Sequence, residues 1–360
     1  MDWVPKSPLE ENIIHKDIFN TFTGFDAQLV EEPNDFLIDP ILKHLKVVWA
    51  DSVEINYTYI LDWLATCVQF PRKKIPAFVV TGKQGCGKTI IVEWLMKDMF
   101  GHRCSIVQNN LNEVLDKYNS ILSNKFLVYV AETGGTTNKD GNIWGKMEQF
   151  KTLISDNRIR LEAKYVNAYM ASNYLHWILS TNHLDSIRIE PNDRKFQILE
   201  ASNAYIGNVQ YFIDLAASLT NEAADHFYTF LSQREITMDL KVFDTTAKVE
   251  LRNLGLPNPV RFWNALSTYE WAPTNMKPKP ETLFKDARYL LSKQEFFVMY
   301  KFWCLETGEK ATNHDWVFRH LAKHDVKYEE VRPNNAERYI TLSDELAKHI
   351  KSPIENLLAF

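Results

Sequence analysis

Cysteine is scarce in this chain: there are four, at positions 67, 86, 104 and 304, and no two form a CxxC pair. That excludes a disulfide framework, argues against a zinc site and suits a reducing cytosol. No run of about 18 uncharged apolar residues occurs, which excludes an ordinary membrane-spanning helix. The opening residues, MDWVPKSPLEEN, lack a basic stretch followed by an apolar one, so no secretory leader is expected. Internal repeats and low-complexity tracts are missing as well. Nor is there a strong excess of either charge. With 41 basic and 46 acidic residues the net charge is −5, so any contact with nucleic acid must use a local basic patch. What remains is a 360-residue chain, 45% apolar, able to build a sizeable core and long enough for two or three domains.

Four segments follow one another. Residues 1–75 read as a helical domain, because FLIDPILKHLKVVWA and YTYILDWLATCVQF carry apolar residues at three- and four-residue spacing. PRKKIP then marks a boundary, with Pro71 and Pro76 around three basic residues. Over 76–207, short apolar runs (AFVVT, SIVQ, KFLVYVA, HWILST, KFQILEA) alternate with helical stretches. Such alternation predicts a mostly parallel α/β sheet in a three-layer sandwich. Residues 208–282 read as helices, YFIDLAASL and HFYTFLSQ, running into the proline-rich linker WAPTNMKPKPET. The last segment, 283–360, opens with helical LSKQEFFVMYKFWCLETG and ends with ERYITLSDELAKHI, a pattern that suits a small winged-helix-like domain.

Between AFVVT and the helical pattern TIIVEWLMKDMF lies GKQGCGKT, residues 82–89. Its spacing is that of a phosphate-binding loop, and a strand before and a helix after are the context such a loop needs. Glycines let backbone N–H groups curl around phosphate oxygens, and the helix N-terminus adds partial positive charge. Gly82, Gln84, Gly85, Cys86, Gly87, Lys88, Thr89 and Ile90 are therefore the candidate nucleotide cradle, with Lys88 on the outer phosphates and Thr89 on a magnesium ion.

Three later stretches add candidates, each of which has a plainer reading by itself. KFLVYVAETGG ends an apolar strand in Glu132, a carboxylate suited to orienting water and organising magnesium, or else a solvated strand-end residue. HWILSTNH ends another strand at Asn182, whose amide can bond the attacking water or the γ-phosphate, although turn asparagines are common. PNDRKFQIL offers Arg194, either a surface residue of an Asp-Arg turn or an arginine finger for a neighbouring subunit's nucleotide.

Taken in order, GKQGCGKT, KFLVYVAE, FKTLISDNRIRLEAK, ILSTN and DRKF resemble the superfamily-three helicases of viruses and mobile elements. The resemblance covers about residues 15–202 and is nearest to the C-terminal helicase region of phage primase-polymerases. It implies an AAA+-like P-loop NTPase that uses ATP and Mg2+ as a homo-hexameric ring on single-stranded or forked DNA, in the host cytoplasm. It assigns Lys88 and Thr89 to ATP and magnesium, Glu132 to the Walker B position, Asn182 to the sensor and Arg194 to the finger. It also implies a channel-lining hairpin at RIRLEAKYVNAYMASN, residues 158–173. Two positions depart from the family pattern. Ala131 stands where a first Walker B acid is usual, and Lys195 where a second arginine often follows the first. The chain leaves no room for a polymerase domain, so a fused or separate primase-polymerase is the expected partner.

Local chemistry at that segment fits DNA. Arg158, Arg160 and Lys164 lie within seven residues, in alternation suited to one strand face, and Tyr165 and Tyr169 follow as stacking candidates. The plainer reading is a solvated basic face with two packed aromatics. Two other functions share the loop: a protein-remodelling AAA+-type ATPase, whose pore loops carry an aromatic-apolar pair, and a small-molecule kinase.

Overall fold

A computed structural model describes residues 2–10, 19–109, 111–131, 143–182, 189, 193–268, 270–271, 284–285, 288–324, 329–331 and 339–342. The chain divides into two compact units, Met1–Arg252 and Asn253–Phe360. The boundaries expected near 75 and 207 fall inside the first unit.

That unit is built on five parallel strands. They are β1 (Ala77–Thr81), β2 (Ser105–Gln108), β3 (Leu127–Val130), β6 (His176–Thr181) and β7 (Phe196–Glu200), in the order β2-β3-β6-β1-β7. All five expected apolar runs are strands of this sheet. Side chains alternate across it with period two. Phe78, Val80, Leu127, Tyr129, Ile178 and Leu199 enter one core, while Val79, Val128, Val130, Leu179, Phe196 and Ile198 enter the other.

Helices cover both faces, which is why the strands read as nearly continuous apolar runs. On the first face lie α1 (Asp35–His44), extended by a π-type turn to Trp49, and α2 (Glu54–Gln69). With them are α3 (Lys88–Trp94), extended similarly to Met99, and, later in the chain, α6 (Val209–Ser218) and α7 (Asn221–Gln233). On the second face lie α4 (Leu111–Val114), α5 (Ile143–Ser155), α8 (Thr246–Gly255) and an antiparallel hairpin of β4 (Arg158–Leu161) and β5 (Tyr169–Ser172). The helical segment before residue 76 and the first two helices after 207, α6 and α7, therefore share one core instead of forming separate domains.

The second unit runs α9 (Asn258–Ser267), β8 (Phe284–Lys285), β9 (Arg288–Ser292), α10 (Lys293–Glu306), α11 (His314–Lys323), β10 (Glu329–Val331) and β11 (Tyr339–Leu342). Its strands pair antiparallel in the order β10-β11-β9-β8. Phe262, Phe296, Tyr300, Trp303, Val317 and Leu321 form its core. This order of elements is compatible with a winged-helix-like unit. The proline-rich stretch after Trp271 lies outside the described residues.

One buried carboxylate ties the end of the first unit to its beginning. Asp62 of α2 is fully buried and accepts from Arg234 Nε at 2.8 Å, the Thr237 N–H at 3.0 Å, the Thr237 hydroxyl at 3.1 Å and the Met238 N–H at 2.9 Å. Such a group is satisfied only as a set. Asp62→Ala strands a half-buried guanidinium and two N–H groups. We expect it to cost about 3 kcal/mol or more, roughly 6–12 °C in melting temperature for a unit of this size. Differential scanning calorimetry checks this; an unshifted first-unit transition would show that the clamp contributes nothing.

Candidate functional site

Parallel strands collect their following loops at one edge of the sheet, and in open α/β folds that edge holds the ligand. Here the loop after β1 is GKQGCGKT, residues 82–89. Gly82, Gly85 and Gly87 all have positive φ, at 144°, 81° and 99°. At Gly87 glycine is compulsory for a second reason. A Cβ there would lie 2.7 Å from the His44 ring and 2.9 Å from the Phe212 ring. The motif's last glycine is thus gripped between α1 and α6, two elements distant in sequence.

His44 is fully buried and bridges the two helices to the loop. Its Nε2 lies 2.9 Å from the Gly87 carbonyl oxygen and its Nδ1 lies 3.0 Å from the Tyr211 hydroxyl. A carbonyl only accepts, so Nε2 carries the proton and Tyr211 donates to Nδ1. Tyr211 stacks in turn on Tyr205, with ring centroids 3.7 Å apart. Burial holds the His44 pKa down at about 4, against a smaller opposing contribution from the Gly87 hydrogen bond.

Lys88 is buried and its ammonium turns inward. It donates to the carbonyls of Gly82 at 2.6 Å and Lys83 at 2.9 Å and to Asn182 Oδ1 at 3.0 Å, with Cys86 Sγ 3.7 Å away. Lys88 and Asn182 are 94 positions apart in sequence and meet because β6 lies directly beside β1. Lys83, Gln84 and Gly85 are exposed along the crest of the loop, Cys86 is buried, and Thr89 and Ile90 are half-buried.

Thr89 heads a chain of hydroxyls. Its Oγ1 is 3.1 Å from the Tyr129 hydroxyl, which is 2.7 Å from Ser180 Oγ, which donates to the Ala131 carbonyl at 2.7 Å. Neither Tyr129 nor Ser180 was among the expected site residues. Their signal was nonetheless present, since each is a hydroxyl inside an otherwise apolar strand and a buried hydroxyl requires a partner. His44 and Tyr211 had no comparable signal.

The other candidates lie elsewhere. Arg194 is exposed just before β7, whose far end, Glu200, pairs with Thr81 beside the loop. It is therefore a strand's length, roughly 16 Å, from its own chain's Lys88. Its neighbour Asp193 caps the turn, accepting from the N–H groups of Lys195 and Phe196 at 2.9 and 3.0 Å. Glu132 lies outside the described residues. Arg158 and Arg160 share the exposed face of β4, with Ile159 and Leu161 buried behind them. Arg160 pairs with Glu162 at 2.9 Å, and Glu162 also meets Lys117 at 3.2 Å, so part of the basic cluster is neutralised. Lys164 is exposed, and Tyr165 at the hairpin tip is 96% exposed with φ 65°, a conformation uncommon for a bulky residue. Tyr169 is exposed on β5. A crevice of about 370 Å³ opens at the hairpin root, lined in part by Trp3, Asn124, Tyr169 and Tyr174.

A family model described only as a family of unknown function, DUF5906, matches residues 80–195, which holds the loop, the hairpin and the Asn182 strand. The DNA primase-polymerase of Nitratiruptor phage NrS-1 is 26% identical over 200 residues, which are 55% of this chain and 26% of that protein. The match thus spans about a quarter of that relative's length. Two structures of the NrS-1 C-terminal region, both without ligand, superpose on 88% of this chain. One has a TM-score of 0.62 at 16% identity over 77% of its own length, the other 0.60 at 17% over 78%. The chain therefore shares the fold of that region. Among the described residues, no helix is long and apolar enough to cross a membrane.

The buried histidines give the first unit an acid sensitivity. The pKa of His176 is held at about 3, by burial and then by the charge of Lys74, and that of His44 at about 4. In the unfolded chain both return to about 6.5. As pH falls from 6.5 to 5, the excess of protons bound by the unfolded chain over the folded one rises from about one to nearly two, so stability falls as the pH falls. The expected slope approaches roughly 2.7 kcal/mol per pH unit near pH 5 and fades to near zero by about pH 8 for these groups. His44→Gln should remove about half of it. Urea denaturation at pH 7.5, 6 and 5 reads this directly; a wild-type slope in the variant would mean that His44 is not neutral in the fold.

Proposed function

We propose that the chain is an ATP-driven DNA translocase of the helicase type, working in phage DNA replication as a ring with each ATP bound between two subunits. One observation carries the reading. Lys88 of the GKQGCGKT loop and the strand-end amide of Asn182 converge at 3.0 Å, at the edge of the sheet where α3 begins. The similarity to a phage primase-polymerase supports the setting.

On this reading the N–H groups around Gly85 and Gly87 take phosphate oxygens. Lys88 exchanges its two carbonyl partners for the outer phosphates, a stronger charge-assisted pairing. Asn182 stays within reach of Lys88 and of the γ-phosphate. Glu132 orients the attacking water. Magnesium suits the donors, because it binds through one or two protein oxygens with phosphate and water completing its shell. Thr89 supplies one such oxygen, and the described residues hold no cluster of three or more His, Cys, Asp or Glu. Bound there, the ion would neutralise charge on the outer phosphates. Arg194, remote from its own loop, serves a neighbour's nucleotide.

Hydrolysis should rise strongly with single-stranded DNA. Lys88→Ala and Arg194→Ala should each be inactive, and mixing them after verified subunit exchange should recover part of the activity, because one interface can join an intact loop to an intact arginine. Full turnover in Lys88→Ala would remove the nucleotide assignment, and a mixture no better than its components would remove the ring.

The hairpin is the proposed DNA-binding element, with Arg158, Arg160 and Lys164 on phosphates and Tyr165 and Tyr169 on bases. One observation favours a second reading, a protein-remodelling ATPase: Tyr165 and Val166 form an exposed aromatic-apolar pair at the tip. Neutralising the three cations together should weaken single-stranded DNA binding and reduce the slope of log affinity against log salt by about 0.7 for each phosphate no longer engaged. An unchanged slope, with ATPase stimulated by unfolded protein instead of DNA, would favour the second reading.

A further inference from the structure

The hydroxyl chain from Thr89 has a direction, and the direction has a chemical consequence. Each hydroxyl owns one proton and two lone pairs. Ser180 spends its proton on the Ala131 carbonyl, at 2.7 Å. At 2.7 Å from Tyr129, Ser180 can then only accept, so Tyr129 donates to it. Tyr129, its proton spent, can only accept from Thr89 at 3.1 Å. The sequence of donors is fixed as Thr89 to Tyr129 to Ser180 to the backbone of residue 131. Tyr129 and Ser180 are both buried, so no solvent competes for these protons.

A neutral hydroxyl that ligates a cation must turn its proton away from the metal and leave a lone pair toward it. The chain does this for Thr89. A carboxylate at the end of β3 would be the simpler acceptor, but position 131 is alanine. We infer that Tyr129 and Ser180 are positioning residues for the divalent cation that binds with the nucleotide, drawing the Thr89 proton away from the metal face where no first acid is present to do so. The inference rests on the nucleotide reading above and deepens it. It also accounts for a phenol inside β3, whose other side chains are apolar and packed. The Ala131 peptide is held on both sides by this arrangement, since its N–H donates to the Gln108 carbonyl at 2.9 Å.

The test is a Mn2+ titration of the protein–ADP complex, followed by electron paramagnetic resonance, beside ADP binding measured with metal chelated. Tyr129→Phe removes the acceptor. It should weaken Mn2+ binding by about tenfold or more, the usual effect of losing a partner behind a metal ligand, while metal-free ADP binding stays at the wild-type level. Ser180→Ala should act in the same direction, because Tyr129 regains a spare proton and can donate toward Thr89. It reads the same quantity if Tyr129→Phe does not fold. Adding Ala131→Asp to Tyr129→Phe should restore part of the Mn2+ affinity by supplying a carboxylate, a rescue that a purely packing role for Tyr129 does not predict. Wild-type Mn2+ affinity in a folded Tyr129→Phe protein would overturn the inference and leave the nucleotide reading intact. If the wild-type protein binds no ADP and Lys88→Ala changes nothing, both fall together.

Discussion

A fully buried strand cannot leave its backbone unpaired, and β1 meets that demand twice, with β6 on one side and β7 on the other, both parallel. This double pairing is the constraint from which the site follows. It fixes Thr81 level with Thr181 and Glu200, so the chain leaving β1 enters a space already bounded by the ends of two neighbours. To turn back into α3 within so few residues it needs positive φ at Gly82, Gly85 and Gly87. The loop is shaped by its surroundings as much as by its own composition. At Gly82 a Cβ would lie 3.1 Å from the Ala201 carbonyl oxygen, and at Gly87 it would strike the His44 and Phe212 rings.

The same pairing makes the β6 end the meeting point for Lys88 and, through Tyr129, Thr89. Ser180 and Asn182 stand two positions apart, so both belong to one side of the strand. Through Tyr129, Ser180 answers Thr89, and Asn182 answers Lys88 directly. The hairpin of β4 and β5 leads into the other end of β6, four residues before His176. One strand, roughly 20 Å long, therefore lies between the loop and the root of the hairpin. A change in the bonds at Ser180 or Asn182 has a short covalent path to the hairpin.

Charge along that hairpin is less simple than the run Arg158, Arg160, Lys164 implies. Glu162 sits among them and pairs with Arg160, so a phosphate must compete with a carboxylate for that guanidinium. Arg160 is 66% exposed but Glu162 only 13%, so salt screens the pair only in part. The near-neutral net charge of −5 then causes no difficulty, since only a local surface has to be basic.

Periodicity and spacing in the sequence were enough for the five sheet strands, the long helices and the loop, whereas the hairpin was implied only by the family resemblance. HWILST is a strand over its whole length, and RIRL alternates exposed and buried as its pattern implies. These are local properties, set by the requirement that apolar side chains share a face. The domain boundaries were not local. PRKKIP reads as a break between domains, yet Trp63 of α2 donates to the Pro76 carbonyl at 2.8 Å, and α2 shares one core with the sheet and α7. A turn of prolines and cations looks the same whether the chain leaves a domain or folds back onto it, and only the burial of what lies on either side decides. The same holds at the site. The spacing of GKQGCGKT is legible by itself, but that Gly87 is gripped by His44 and Phe212, that Lys88 meets Asn182, and that Thr89 meets Tyr129 depend on how helices and strands pack. Tertiary packing brings His44 and Phe212 to Gly87, Asn182 to Lys88, and Tyr129 to both Thr89 and Ser180. Hydrogen bonds and close packing depend on distance in space, and spacing along the chain carries almost no information about that.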